Sequence, residues 1–139
     1  MSRGGRGTVA FPVAPEVAFD YLVDPANRAE WQSSLRRVEH VVGTPRVGQT
    51  WVDVTKPGLR PRMRTTILER PVRWAESGTW RGVRADLELA FAPAGVGCDV
   101  TFAFAVHVLG PVGRAFTAIS VPAVRSDLRR AAEVLSRRS

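Results

Sequence analysis

FDYLVDPANRAEW, residues 19–31, begins like an amphipathic helix, breaks at Asp24-Pro25 and runs on to a tryptophan. The break predicts two short helices placed end to end. Pro15 suits the first turn of a helix, where its missing N–H goes unused. Val17, Phe19, Leu22 and Val23 then form an apolar stripe over residues 15–23. Asp24 ends this helix, because a residue before proline avoids the α region. Asp24 is also a good N-cap for a second helix over residues 25–32, which carries Trp31 at its far end.

Outward from this stretch the signals are those of strands. TVAFPV (8–13) reads as a first strand, with Pro12 tolerated near its end. After the helices come runs 38–42, 50–56, 62–69, 74–80, 83–92 and 98–108, separated by Gly43-Thr44-Pro45, Pro57-Gly58, Arg70-Pro71, Arg81-Gly82 and Pro93-Ala94-Gly95. Leu87 and Leu89 share one face of their run, opposite Asp86 and Glu88; Val100, Phe102, Phe104 and Val106 share one face of the last. Regular turns of this kind indicate an antiparallel meander. Gly110-Pro111 then opens a long helix whose apolar positions include Phe116, Ile119, Ala123, Leu128 and Leu135; Pro122 lies inside it and should kink or split it.

The predicted class is α+β: a strongly curved antiparallel sheet of about seven strands wrapped on a long C-terminal helix, with two short helices after strand one. A twisted sheet meets a straight helix only along part of its surface. The paired helices then close one end over an apolar hollow. The 139 residues fit one domain spanning 1–139, with residues 1–6 expected to be flexible.

Composition narrows the function classes. Hydrophobic residues are 45% and charged residues 24%, an ordinary globular balance. No run of ~18 apolar residues exists to span a membrane, and MSRGGRG is not followed by a signal-peptide core; the protein is read as cytoplasmic. Cys98, the single cysteine, cannot form an internal disulfide. The net charge of +7 raises the question of an anionic partner, but the basic residues are spread along the chain and all but Lys56 are arginine. The abundance of Arg, Ala, Val and Gly points to a GC-rich coding sequence of the actinobacterial kind. Nucleic acid is not the favoured partner, and a homodimer is left open.

Several segments together resemble the START-like (SRPBCC, helix-grip, Bet v 1-like) superfamily, in particular its bacterial polyketide cyclase/dehydrase-type members. They are APEVAFDYLVDP (14–25), Glu30-Trp31, VGQTW (47–51), ERPVRW (69–74) and GVGCDVT (95–101), where Cys98 stands at a position more usually Thr. The resemblance covers nearly the whole chain and implies a cavity between sheet and long helix that holds a hydrophobic small molecule. It implies no single chemistry.

The side chains expected to line that cavity are Phe19, Leu22, Trp31, Trp51, Met63, Trp74, Leu87, Leu89, Phe102, Phe104, Phe116, Ile119 and Ala123. Three residues are candidates for acid/base work. His40 is in phase with Val38 and Val42, Asp53 with Trp51, and Glu76 with Trp74 and Trp80. If the Trp faces point inward, both carboxylates stand among them and burial raises their pKa; exposed Trp faces with polar neighbours fit the same pattern. His107 is out of phase with its strand's apolar face. No metal-ligand spacing, phosphate loop or nucleophile elbow occurs, and no cofactor is implied. The leading reading is a hydrophobic-ligand binder. The alternatives are a polyketide cyclase/dehydratase and a basic interaction module for an anionic partner.

Overall fold

The structure, a computed structural model, describes residues 2–108 and 120–138. Among these, seven strands form one curved antiparallel sheet: Ser2–Phe11 (β1), Leu35–Val42 (β2), Thr50–Thr55 (β3), Arg62–Glu69 (β4), Arg73–Trp80 (β5), Val83–Ala94 (β6) and Gly97–Val108 (β7). Their order is β1-β7-β6-β5-β4-β3-β2, so the meander runs from β2 to β7 and β1 closes beside β7. Between β1 and β2 lie helix Pro15–Val23 (α1), a 3-10 turn Pro25–Asn27 and a single helical turn Arg28–Trp31 (α2). Helix Val121–Arg138 (α3) comes after β7. No helix among the described residues is long and apolar enough to cross a membrane.

The break that the opening stretch predicts is present. Asp24 takes an extended conformation and its side chain accepts from the Ala26 N–H at 3.0 Å, while the Asn27 amide donates to the Tyr21 carbonyl. The second helix is shorter than expected because its first turn tightens to 3-10. On α1 the stripe is shifted: Ala18, Phe19 and Leu22 are buried, whereas Val17 is exposed.

The glycine-rich leader expected to be flexible is strand. Ser2–Phe11 pairs along its whole length with β7, Gly5 opposite Phe104 and Gly7 opposite Phe102. A Cβ on Gly7 would stand 2.7 Å from the Phe102 ring, and one on Gly5 would stand 2.4 Å from Val121 Cγ2. The missing side chains make room for two aromatic rings and for α3. Pro122 is likewise reassigned: it is the second residue of α3, in the first turn, where it removes no bond. Ser120 stands at the start of α3, its Oγ accepting from the Ala123 N–H. The expected helix opening at Gly110-Pro111, with Phe116 and Ile119, lies outside the described residues.

Polar ties fix α3 to the paired helices. Ser33 donates to Asp127 through both its N–H and its hydroxyl. Glu30 accepts from Arg138 at 3.0 Å and from the Tyr21 hydroxyl at 2.9 Å. Arg70, in the turn after β4, makes a two-pronged bond to Asp20 of α1. Replacing Gly7 by Val should drive a side chain into the Phe102 ring. The expected cost is about 1–3 kcal/mol, read as a lowered urea midpoint at unchanged slope; an unaltered midpoint would contradict the tight β1–β7–α3 contact.

Candidate functional site

The inner face of the sheet is organised in rows that cross the strands. One row is Leu68, Trp74, Leu89, Phe102 and Gly7. Here Trp74, Leu89 and Phe102 are fully buried and join Phe19, Leu22, Trp31 and Trp51 in one continuous cluster. At this end the side chains expected to line a hollow are packed on one another. The neighbouring row is Thr65, Glu76, Leu87, Phe104 and Gly5. It starts sealed and ends half open: Thr65 and Glu76 are buried, while Leu87 and Phe104 are only partly covered, as are Val121 and Val124 of α3. The next row sets Met63 over Gly78, beside Ala85.

Two hollows open outside the packed cluster. One of about 530 Å³ runs along α3 past Val121, Arg125 and Arg129; the other, of about 720 Å³, lies where Arg62, Trp80, Arg81 and His107 converge. None of the described side chains expected to line the ligand cavity borders either, and Ala123 sits half-buried on α3.

Of the three acid/base candidates, the structure separates His40 from the others. β2 slips register between Glu39 and Val42, so alternation is lost there; His40 has φ 54° and a side chain 74% exposed. It does not face the interior, contrary to the expectation from its phase with Val38. His107 lies partly exposed beside Asp86. Asp53 and Glu76 do face inward, at 5% and 4% exposure.

What brings the two carboxylates together is Arg28, a residue the sequence does not single out. From α2 its side chain enters the interior, 2% exposed. Nε and Nη2 donate to the two oxygens of Asp53 at 3.1 and 2.7 Å, and Nη1 donates to Glu76 Oε1 at 3.1 Å. The guanidinium carbon lies 5.0 Å from the centroid of Trp51, whose indole N–H donates to Asp53 Oδ1. Burial alone would lower the Arg28 pKa, but the two carboxylates outweigh it and raise it. Burial pushes the Glu76 pKa up and the Asp53 charge adds to this, against the pull of Arg28. Asp53 is fully engaged. Glu76 Oε2 and Thr65 Oγ1, on residues paired across β4 and β5, are buried without a hydrogen-bond partner among the described residues, as are Gln49 Oε1 and the indole nitrogens of Trp31 and Trp74. Groups of three or more His, Cys, Asp or Glu arranged to hold a metal are absent among the described residues.

A sheet gripping a terminal helix, with short helices over one end, is also what comparison with known proteins finds. The family model described as polyketide cyclase / dehydrase and lipid transport matches residues 5–139. The chain belongs to this family. No curated protein matches in sequence. Among solved structures, the family's fold recurs in protein MLL2253 from Mesorhizobium loti, at TM-score 0.78 and 14% identity, with 99% of each chain covered. Norcoclaurine synthase from Thalictrum flavum gives TM-score 0.74 at 10% identity, covering 100% of this chain and 98% of that one. Ara h 8.0201 gives 0.71 at 12%, covering 98% and 99%. At these identities the likeness is one of fold, that of the Bet v 1-like helix-grip proteins.

Two stability measurements test the buried cluster. Arg28→Met leaves two carboxylates facing each other in the core and should cost about 3–5 kcal/mol, seen as a large drop in urea midpoint. Glu76→Gln probes the proton. The folded chain holds it more tightly than the unfolded chain, whose carboxyl titrates near 4.5, so wild-type stability falls as pH rises above that value. The variant lacks this loss. Its stability relative to wild type should therefore improve as pH rises above the unfolded value of 4.5; a gap independent of pH would refute the raised Glu76 pKa.

Proposed function

We propose that the protein binds a hydrophobic small molecule against the inner face of the sheet, on the half-covered wall formed by Leu87 and Phe104 with Val121 and Val124 of α3. The observation that carries this reading is the row Thr65–Glu76–Leu87–Phe104–Gly5, in which a sealed polar end adjoins a half-open apolar end. Apolar area removed from water there contributes ~25 cal/mol per Å², and few polar groups are needed to set orientation. Membership of a family described by lipid transport as well as by cyclase and dehydrase activity supports a ligand-holding interior. The fully packed Trp74–Leu89–Phe102 end acts as the floor of the site.

The cyclase/dehydratase reading has one observation in its favour, the inward carboxyl of Glu76. Its other candidates are poorly placed: His40 is outside, and both Asp53 oxygens are engaged by Arg28, one also by Trp51. The basic-module reading gains little support from the surface, where Arg60, Arg70, Arg73 and Arg84 each face a neighbouring carboxylate.

Native mass spectrometry of the protein purified from its own host tests the binding reading. The expected result is a co-purified small molecule, lost in Phe104→Arg while circular dichroism stays unchanged. A folded wild type that carries no adduct and takes up no apolar dye would overturn it.

A further inference from the structure

The buried cluster restricts what the ligand can be, an inference that rests on the binding reading above. We propose that the site selects a neutral apolar ligand bearing a hydrogen-bond acceptor, such as a ketone or another carbonyl on a ring system, and rejects carboxylates, with Glu76 Oε2 and Thr65 Oγ1 as the anchoring donors.

Formal charge argues first. Arg28 is the one buried cation among the described residues, and it faces two buried carboxyl groups. Its Nε and Nη2 are taken by Asp53, its Nη1 by Glu76, and Gln32 Oε1 lies 3.5 Å from Nη2. A ligand carboxylate arriving here would find no free cation, because Asp53 already neutralises Arg28. Desolvating a second negative charge without a counter-ion is among the costliest events in a protein interior.

Hydrogen-bonding capacity argues second. The unpartnered buried atoms next to the apolar wall are Glu76 Oε2 and Thr65 Oγ1, on directly paired residues of β5 and β4. A hydroxyl donates readily, and a carboxyl that keeps its proton donates as well. The raised Glu76 pKa supports that protonated form. Two more buried N–H groups without acceptors, on Trp31 and Trp74, belong to the adjoining core. One unmet acceptor, Gln49 Oε1, stands among them; the donors call for an oxygen acceptor on the ligand, and the lack of a free cation makes a neutral one the fit.

Access argues third. Leu87 is the cross-strand neighbour of Glu76 and only partly buried, and the flexible Met63 thioether lies over Gly78 two residues further along β5. In this proposal these two side chains shift to admit the ligand to Oε2, while the Arg28 contacts stay in place.

Three probes of one shape distinguish the possibilities: 2-acetylnaphthalene, 2-ethylnaphthalene and 2-naphthoate, titrated against intrinsic tryptophan fluorescence at neutral pH. The acetyl compound should bind about tenfold more tightly than the ethyl compound, and the naphthoate more weakly than either. Glu76→Leu should level acetyl and ethyl, whereas Glu76→Gln, which keeps a donor, should preserve the preference. Bound to wild type, the acetyl carbonyl stretch should shift to lower wavenumber than in hexane, which tests the anchor even if Glu76→Leu does not fold. Equal affinity for acetyl and ethyl, or an unshifted carbonyl stretch, would overturn the anchor while leaving the binding site standing. Tightest binding of the naphthoate would overturn the charge argument. Binding of none of the three would remove the site itself, and the anchor with it.

Discussion

The position of the paired helices depends on one guanidinium. α2 is a single helical turn, far too short to hold its shape alone. Arg28 reaches from it through the apolar interior to Asp53 on β3 and Glu76 on β5, two strands that flank β4. Those bonds clamp α2 onto the sheet. Glu30 and Ser33, close by in sequence, then hold α3 through Arg138 and Asp127. Trp51 completes the arrangement by stacking near the guanidinium and donating to the carboxylate that guanidinium holds.

Such a cluster is a poor way to gain stability. An apolar trio of the same volume would hold α2 as firmly, often more so, because no charge would have to leave water. The cluster supplies what an apolar trio lacks: a fixed polar point inside a hydrophobic enclosure. It is also asymmetric. Asp53 has both oxygens engaged, while Glu76 has one oxygen engaged and one left over. The division between a structural carboxylate and an available one comes from the two-pronged geometry with which arginine meets Asp53.

Much of this architecture is legible in the residue order. Period-two alternation identifies β6 and β7 with their inward faces, and the Asp24-Pro25 break separates α1 from the 3-10 turn and α2. Phase with Trp51 and Trp74 places Asp53 and Glu76 inside. Arg28 is not legible in this way: a one-turn helix after a 3-10 turn has no periodicity from which a side chain's direction can be read. Two inward carboxylates, with the strand arginines such as Arg62 and Arg64 out of phase with the buried face, were the available signal. His40 misleads because phase counting assumes an unbroken ladder, and β2 slips register beside it. The glycines of the leader look like flexibility in sequence, yet Gly5 and Gly7 recur every second residue on the face that meets Phe104 and Phe102. Spacing alone does not tell a proline that starts a helix from one that kinks it, hence the reassignment of Pro122.

The register slips in β2 also bear on behaviour in a crowded solution. β2 is the last strand of the sheet and carries exposed Val41 and Val42, a combination that invites a foreign strand to add on. Offsets after Leu35 and after Glu39 leave just three consecutive residues, Arg37 to Glu39, in regular register with β3. An incoming chain would find no straight template long enough to zip against, and the charged pair Arg37–Glu39 lies on the part that remains. The irregularity that turns His40 outward thereby serves as a guard against fibrous self-association.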